Sequence, residues 1–271
     1  RAYSGGDIPE NVLDEVEVTT KEKDEISYKY FFYADNHSEL VQVFKSYLET
    51  IKEDITISIT EAKWEDWNEE WRKHYKTLDV SERLKVVPEW EIEGDYKNKM
   101  DSVYIYPGMG FGTGGHETTF LCMQLFDEIR DEFKPGTECL DFGCGSGILG
   151  IAAIKMSKMK VEFCDIDSDA LDNCVQNLEL NFNECDLDGH RLVIRDRYKS
   201  KKKFELVFAN ILEHVLELEK SVLMESLKEG SYLIVSGLLN HQVANIKEKY
   251  SELNCEKVLS KGDWSAVLFK K

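Results

Sequence analysis

The sequence predicts an α/β protein: a doubly wound, mainly parallel seven-stranded sheet preceded by a small α+β (ferredoxin-like) unit. Three observations carry this. From Glu138 onward, short β-branched and aromatic runs alternate with helical patterns. A turn with three alternating glycines, Gly143, Gly145 and Gly147, joins the first of these strands to a helix. The last two strand patterns are separated only by Lys261–Asp263, too short for a helical crossover, so they pair antiparallel at the sheet edge. At roughly 150 residues per domain, the 271 residues are two domains or one large one.

In chain order, residues 1–13 are polar and read as loose, and an opening Arg1 in place of Met reads as a trimmed terminus without a cationic-then-apolar leader. Glu17–Thr20 and Ser27–Tyr33 have strand composition. Leu40, Val41, Phe44, Tyr47, Leu48 and Ile51 recur at helical spacing, and Ile55–Ile59 alternates as a half-buried strand does. Residues 1–62 are therefore the α+β unit. Residues 63–104 form an aromatic-rich linker: Trp64, Trp67 and Trp71 share one helix face, as a packing stripe or as a partner-binding surface, and Arg83–Pro88 reads as a strand. Residues 105–271 are the main domain. Its expected strands are Glu138–Phe142, Val161–Asp165, Leu192–Arg195, Leu206–Ala209, Tyr232–Ser236, Glu256–Leu259 and Ala266–Phe269, with helices between the first five. Ser168 is placed to cap the helix carrying Leu171, Cys174, Val175 and Leu178.

Composition bounds the function. A chain that is 42% apolar and 11% aromatic builds a core, which excludes wholesale disorder. A net charge of −18 makes a phosphate backbone a poor partner and favours a basic protein or a small cationic ligand. The run Lys199, Lys201–Lys203 reads as a solvated turn. The longest apolar stretches, Gly147–Ile154 and Tyr232–Leu239, fall short of the ~18 residues a membrane span needs. Seven cysteines with no CxxC pair read as reduced thiols of a cytoplasmic protein, with neither a disulfide frame nor a metal site.

Three constellations carry chemistry. Alternating glycines at 143, 145 and 147 let backbone approach a ligand, and the following helix N-terminus offers N–H groups. Asp165 closes the next strand about 20 residues on, where a doubly wound fold places the carboxylate that binds ribose hydroxyls. Together they read as an adenosine-cofactor site. The dinucleotide fingerprint wants a third glycine where this chain has Ile148, so the Asp-x-Gly-x-Gly-x-Gly form fits S-adenosylmethionine better than NAD. Next, Pro107–Thr119 concentrates glycines with Phe111, Thr113, His116 and Thr119, which suits a loop over a bound ligand, or else a domain linker. Last, Asn210 ends the fourth strand of the sheet, where its amide either orients a substrate amine or caps the next helix.

Gly-Phe-Gly-Thr-Gly-Gly-His-Glu-Thr-Thr (110–119), Leu-Asp-Phe-Gly-Cys-Gly-Ser-Gly-Ile-Leu (140–149), Asp-Ile-Asp (165–167) and Ala-Asn-Ile-Leu (209–212) together resemble the bacterial ribosomal protein L-eleven methyltransferases, the PrmA family, over Trp64–Lys271. The resemblance implies a class I S-adenosylmethionine-dependent enzyme that methylates lysine amines, and possibly an N-terminal amine, of a large-subunit ribosomal protein recognised by the N-terminal domain. It places cofactor contacts on Thr119, Gly143, Gly145, Asp165 and Asn210, a covering loop on Phe111, Gly112, Thr113 and His116, and the catalytic role on Asn210. The family usually flanks the loop histidine with Thr and Pro; Gly115 and Glu117 stand there in this chain, and Glu117 adds a charge that suits a cationic substrate. Alternative readings are a lysine methyltransferase of another protein, an NAD-binding enzyme and a non-catalytic module on the same fold.

Overall fold

Near the N-terminus the strand-like runs form an antiparallel sheet. The computed structural model describes residues 13–20, 27–32, 42–46, 55–62, 76–94, 96, 97, 99, 101–106, 116–183, 189–194 and 202–271. The chain divides into two compact units, Arg1–Tyr75 and Lys76–Lys271. In the first, β1 (Leu13–Thr20) lies between β2 (Ser27–Phe32) and β3 (Ile55–Ala62), antiparallel to both, and residues 42–46 are helical. The helical positions Leu40, Val41, Tyr47, Leu48 and Ile51, and the tryptophans 64, 67 and 71, lie outside the described residues.

The second unit begins with a small sheet. β4 (Leu78–Ser81) and β5 (Leu84–Pro88) form a hairpin, and β6 (Ser102–Ile105) runs parallel to β5. The strand expected at 83–88 is β5; β4 and β6 were not foreseen. Their buried side chains, Val80, Leu84, Val86, Val103 and Ile105, give the sheet an apolar face.

Then follow α1 (Glu117–Ile129), β7 (Glu138–Phe142), α2 (Ile148–Ser157), β8 (Lys160–Asp165), α3 (Ser168–Asn181), β9 (Arg191–Ile194), β10 (Phe204–Asn210), α4 (Glu213–Leu218), α5 (Lys220–Ser226), β11 (Leu227–Leu239), α6 (Val243–Lys249), β12 (Asn254–Lys261) and β13 (Trp264–Lys270). The sheet order is β12-β13-β11-β10-β7-β8-β9. β7 pairs in parallel with β8 on one side and β10 on the other, so the winding reverses there and opens a crevice beyond the carboxyl ends of these strands. β13 is antiparallel to both β11 and β12, which leaves β12 as the outer strand. The expected helices between strands are α2, α3 and the pair α4–α5; the link from β9 to β10, including Lys199 and Lys201, lies largely outside the described residues.

α2 is apolar on almost every side because it is covered on almost every side. All its residues but Met156 are buried, with β7 and β8 on one flank and β6 on the other. α1, α2 and α3 make one layer, and the small sheet covers that layer from outside. On the opposite face of the large sheet, Leu216, Leu223, Ile246 and Tyr250 pack over Phe204, Val207, Leu233 and Phe269. The helix read as capped by Ser168 begins at Ser168 and is capped by Asp167, whose carboxylate accepts from Asp169 N at 3.0 Å; Asp is as good an N-cap as Ser and sits one residue earlier. Of the six described cysteines, five are buried and Cys255 is exposed, all as free thiols; Cys185 lies outside the described residues. Among the described residues no helix is long and apolar enough to cross a membrane and no metal-binding group forms.

Candidate active site

The turn after β7 is shaped by its glycines. Gly143, Gly145 and Gly147 take φ of 71°, 52° and 76°, the left-handed region that side chains disfavour. At Gly143 there is a second constraint. A Cβ there would lie 2.5 Å from Ile211 Cγ2, so the turn and the segment after Asn210 touch without room for a methyl group. The backbone of the turn is largely committed inward. Gly143 N and Cys144 N both donate to Cys164 O, at 2.7 and 3.1 Å, and Gly147 N donates to Cys144 O at 2.8 Å.

Asp165 ends β8 beside this turn. Its Oδ2 accepts from Gly145 N at 2.8 Å and its Oδ1 from Asp167 N at 3.1 Å. Each carboxylate oxygen has a second lone-pair site, so the side chain that fixes the turn retains capacity for hydroxyl donors. Asp141, the acid that opens the glycine motif, is 1% exposed and points under α2, where Oδ2 accepts from Gly150 N at 2.9 Å. Burial pushes its carboxyl up to about 7, the nearby Asp165 charge adds to this, and the Gly150 N–H opposes it. The N-terminus of α2, expected to offer its N–H groups to a ligand, thus already holds an internal carboxylate.

Asn210 ends β10 on the other side of the crevice. Its Nδ2 donates to Thr119 Oγ1 in α1 at 3.2 Å. Its Oδ1 is buried and meets no hydrogen-bond partner among the described residues. A buried carbonyl oxygen without a donor is costly, and a ligand N–H is the natural remedy. Thr119 itself is fully buried. His116 caps α1, one turn before Thr119: Thr118 N donates to its Nδ1 at 3.3 Å, and its ring meets Trp264 edge-to-face at 4.9 Å.

The residues chosen from sequence therefore form a continuous arc. Thr119 bonds Asn210, Ile211 next to Asn210 touches Gly143, and Gly145 bonds Asp165. His116 stands one helical turn from Thr119. Phe111, Gly112 and Thr113 lie outside the described residues. Three contributors were missed. Asp141 was visible as the first letter of the glycine motif. Trp264, at the start of β13, carried no signal in the sequence. Asn177, buried in α3, bridges the turn to β6: Nδ2 donates to Ser146 O at 3.0 Å and Oδ1 accepts from Tyr106 N at 2.7 Å. Its position on the same face as Leu171 and Cys174, among residues read as apolar, was the available clue.

Two exposed apolar side chains rim the crevice, Ile166 (68% exposed) beside Asp165 and Leu212 (55%) beside Asn210. Ile148, where a dinucleotide site needs glycine, is buried at the first position of α2.

Comparison with known proteins places the chain among its relatives. The family described as "Ribosomal protein L11 methyltransferase (PrmA)" matches residues 6–271. The ribosomal protein L11 methyltransferase of Caldicellulosiruptor bescii is 33% identical over 268 residues, covering 96% of this chain and 84% of that protein. That of Ruminiclostridium cellulolyticum is 35% identical over 210 residues, 76% of this chain and 65%, just under two thirds, of that protein. A crystal structure of ribosomal protein L11 methylase from Lactobacillus delbrueckii subsp. bulgaricus superposes with a TM-score of 0.62 at 29% identity, covering 72% of this chain and 98% of that one. With a family match over nearly the whole chain and a relative 33% identical over 96% of it, the chain belongs to the ribosomal protein L11 methyltransferase family.

Proposed function

We propose that this protein transfers a methyl group from S-adenosylmethionine to lysine amines of ribosomal protein L11, in the cytoplasm, with the N-terminal unit recognising the substrate. The observation that carries the reading is the buried Asn210 Oδ1, which meets no partner among the described residues and sits at the strand end next to Ile211, where the glycine turn comes close. The residues present fit the cofactor. Asp165 has spare acceptor capacity for the ribose hydroxyls, the exposed Ile166 beside it offers an apolar surface to a flat base, and Asn210 carries an acceptor that no described residue uses, suited to an ammonium or amine. Gly143, where a Cβ would collide with Ile211, lets the turn pack directly against the segment that carries Asn210.

When bound, the cofactor supplies an activated methyl on a positively charged sulfur. The chain's own task is to bring a neutral amine into line with it, so positioning supplies much of the rate. A lysine amine is protonated in water, with a pKa near 10.4. Partial burial and a nearby cation both disfavour the ammonium form. No side chain is therefore required as a strong base, and the departing proton leaves to solvent. Asn210 accepts an N–H of the incoming amine and so fixes its lone pair. With a net charge of −18, the protein favours the approach of a basic substrate.

The test is incubation with methyl-labelled cofactor and purified large-subunit ribosomal proteins, read by mass spectrometry. Label is expected on lysines of L11, and it should vanish with Asp165→Ala. No incorporation by the wild-type chain, or label confined to another protein, overturns the reading.

A further inference from the structure

Asn177 is fully buried, yet its side-chain amide is saturated by partners from two distant segments. Oδ1 takes the Tyr106 N–H at the end of β6; Nδ2 gives its hydrogens to Ser146 O, inside the glycine turn, and more weakly to Asn173 Oδ1 at 3.5 Å. The two ends have opposite character. A donor sits on one and an acceptor on the other, so the amide cannot turn over without orphaning both. One helical turn on, Asn181 makes a similar bridge to β6, accepting from Tyr104 N at 2.9 Å and donating to Tyr104 O at 2.6 Å, and it also donates to Asn177 O within its own helix at 2.8 Å. The two asparagines are thus a matched pair in the same helix, and only one of them reaches the turn.

We infer that Asn177 is a positioning residue for cofactor binding. It sets the plane of the peptide that follows Ser146, between the left-handed Gly145 and Gly147, and so holds the turn in its receptive shape, using Tyr106 N–H as the anchor. The inference rests on the reading of this turn as the cofactor site. Cys174, one turn earlier on the same face, abuts Gly147 so closely that a Cβ there would lie 2.4 Å from its Sγ; α3 supports the turn from beneath. In Asn177→Asp the acceptor for Tyr106 N survives, but a carboxylate oxygen faces Ser146 O.

Four proteins are compared: wild type, Asn177→Asp, Asn177→Leu and, as control, Asn181→Leu. Each is titrated with S-adenosylhomocysteine by calorimetry, melted, and assayed for kcat and cofactor KM. Both Asn177 variants should bind at least tenfold more weakly and show a matching rise in cofactor KM, with kcat at saturation changed less than threefold. Asn181→Leu should lose thermal stability yet bind within twofold of wild type. Binding by Asn177→Asp within twofold of wild type, or an equal loss in Asn181→Leu, overturns the inference. Should both Asn177 variants fail to fold, hydrogen exchange on the wild type decides: the Tyr106 amide gains protection when ligand binds, and an unchanged rate overturns the inference. Wild type that binds no ligand at all would instead refute the cofactor reading beneath it.

Discussion

Replacing Gly143 with alanine separates two costs that the structure places at one atom. The first is conformational. Gly143 has φ of 71°, and alanine in the left-handed region is disfavoured by about 1–2 kcal/mol. If the turn relaxes away from that shape, ligand binding must restore it, which weakens affinity roughly 5- to 30-fold. The second is steric. The new Cβ would stand 2.5 Å from Ile211 Cγ2, where ordinary contact begins at 3.4 Å, so Ile211 must retreat by close to an ångström. Ile211 follows Asn210 directly, and a misplacement of that size at a group proposed to orient the amine should cost on the order of 100-fold in rate. Gly143→Ala should therefore lose both affinity and kcat. Ile211→Leu removes the β-branch methyl while conserving volume. The double variant should recover most of kcat, because Asn210 returns, but little of the affinity, because the backbone strain remains. The assays are calorimetric titration with S-adenosylhomocysteine and initial rates at saturating cofactor. Wild-type affinity and rate in Gly143→Ala would refute the placement of the cofactor on this turn. A double variant no faster than Gly143→Ala, with Ile211→Leu alone fully active, would refute the link through Ile211.

Asn210→Ala removes the buried acceptor and the tie to Thr119; kcat/KM should fall about 100-fold while the melting temperature changes little, and a loss below threefold would sink its assignment. Burial holds the Asp141 proton to about pH 7, and a bound cation favours the ionised form, so affinity for S-adenosylmethionine should rise between pH 6 and 8, more steeply than for the uncharged-sulfur product; Asp141→Asn should flatten that difference, and parallel profiles in wild type and variant would reject it. Lys155 is buried in α2, donates to Ser102 O at 2.8 Å and Lys99 O at 3.3 Å, and burial lowers its pKa from 10.5 to about 8. The unfolded chain binds this proton more tightly, so the lysine's contribution to stability is full above pH 10.5 and is lost as pH falls through 8. Relative to Lys155→Met, wild type should gain on the order of 3 kcal/mol between pH 7 and 10.5 in urea unfolding; a constant difference across that range would contradict the assignment.

Much of this architecture was legible because it is written in local patterns. The sheet strands, the turn and the short link before β13 all announce themselves by short apolar runs rich in β-branched and aromatic residues, glycine spacing and loop length. Asp165 and Asn210 were legible for a related reason: each is the polar residue that ends an apolar strand, and strand ends are where this fold places ligands. β4 and β6 were not, because Leu78–Ser81 and Ser102–Ile105 are four residues long and, unlike the equally short β9, lie outside the alternation of strands and helices that marks the large sheet. What makes β6 a strand lies far away in sequence. Lys97 caps the end of α3 through Glu179 O and Phe182 O at 2.9 and 3.0 Å, Lys155 takes the carbonyls of 99 and 102, and Asn181 takes both backbone groups of Tyr104. Long-range side-chain-to-backbone bonds of this kind leave no periodic trace. Trp264 is similar: its role depends on the edge-to-face contact with His116, nearly 150 positions earlier in the chain.

The electrostatics of the turn also decide which ligand chemistry it tolerates. A glycine-rich turn ahead of a helix is, by itself, an anion site, because unsatisfied N–H groups and the helix dipole point at the ligand. Here the protein has filled that role from inside. Asp141 spends its carboxylate on Gly150 N, Asp165 spends an oxygen on Gly145 N, and Gly143 N and Cys144 N are turned to Cys164 O. A pyrophosphate brought to this turn would meet two carboxylates and few unused donors. A ligand with a positive centre meets the opposite field: the Asp165 side chain, an Asp141 that loses its proton as a cation approaches, and the Asn210 carbonyl oxygen, which has no partner among the described residues. The same three acidic and carbonyl groups that disfavour a dinucleotide therefore favour a sulfonium and an amine, and the discrimination does not depend on the glycine missing at Ile148. Restoring that glycine, as Ile148→Gly, should accordingly leave NAD binding undetectable by calorimetry; measurable NAD affinity in that variant would show that the glycine pattern, and not the internal carboxylates, had been setting the choice.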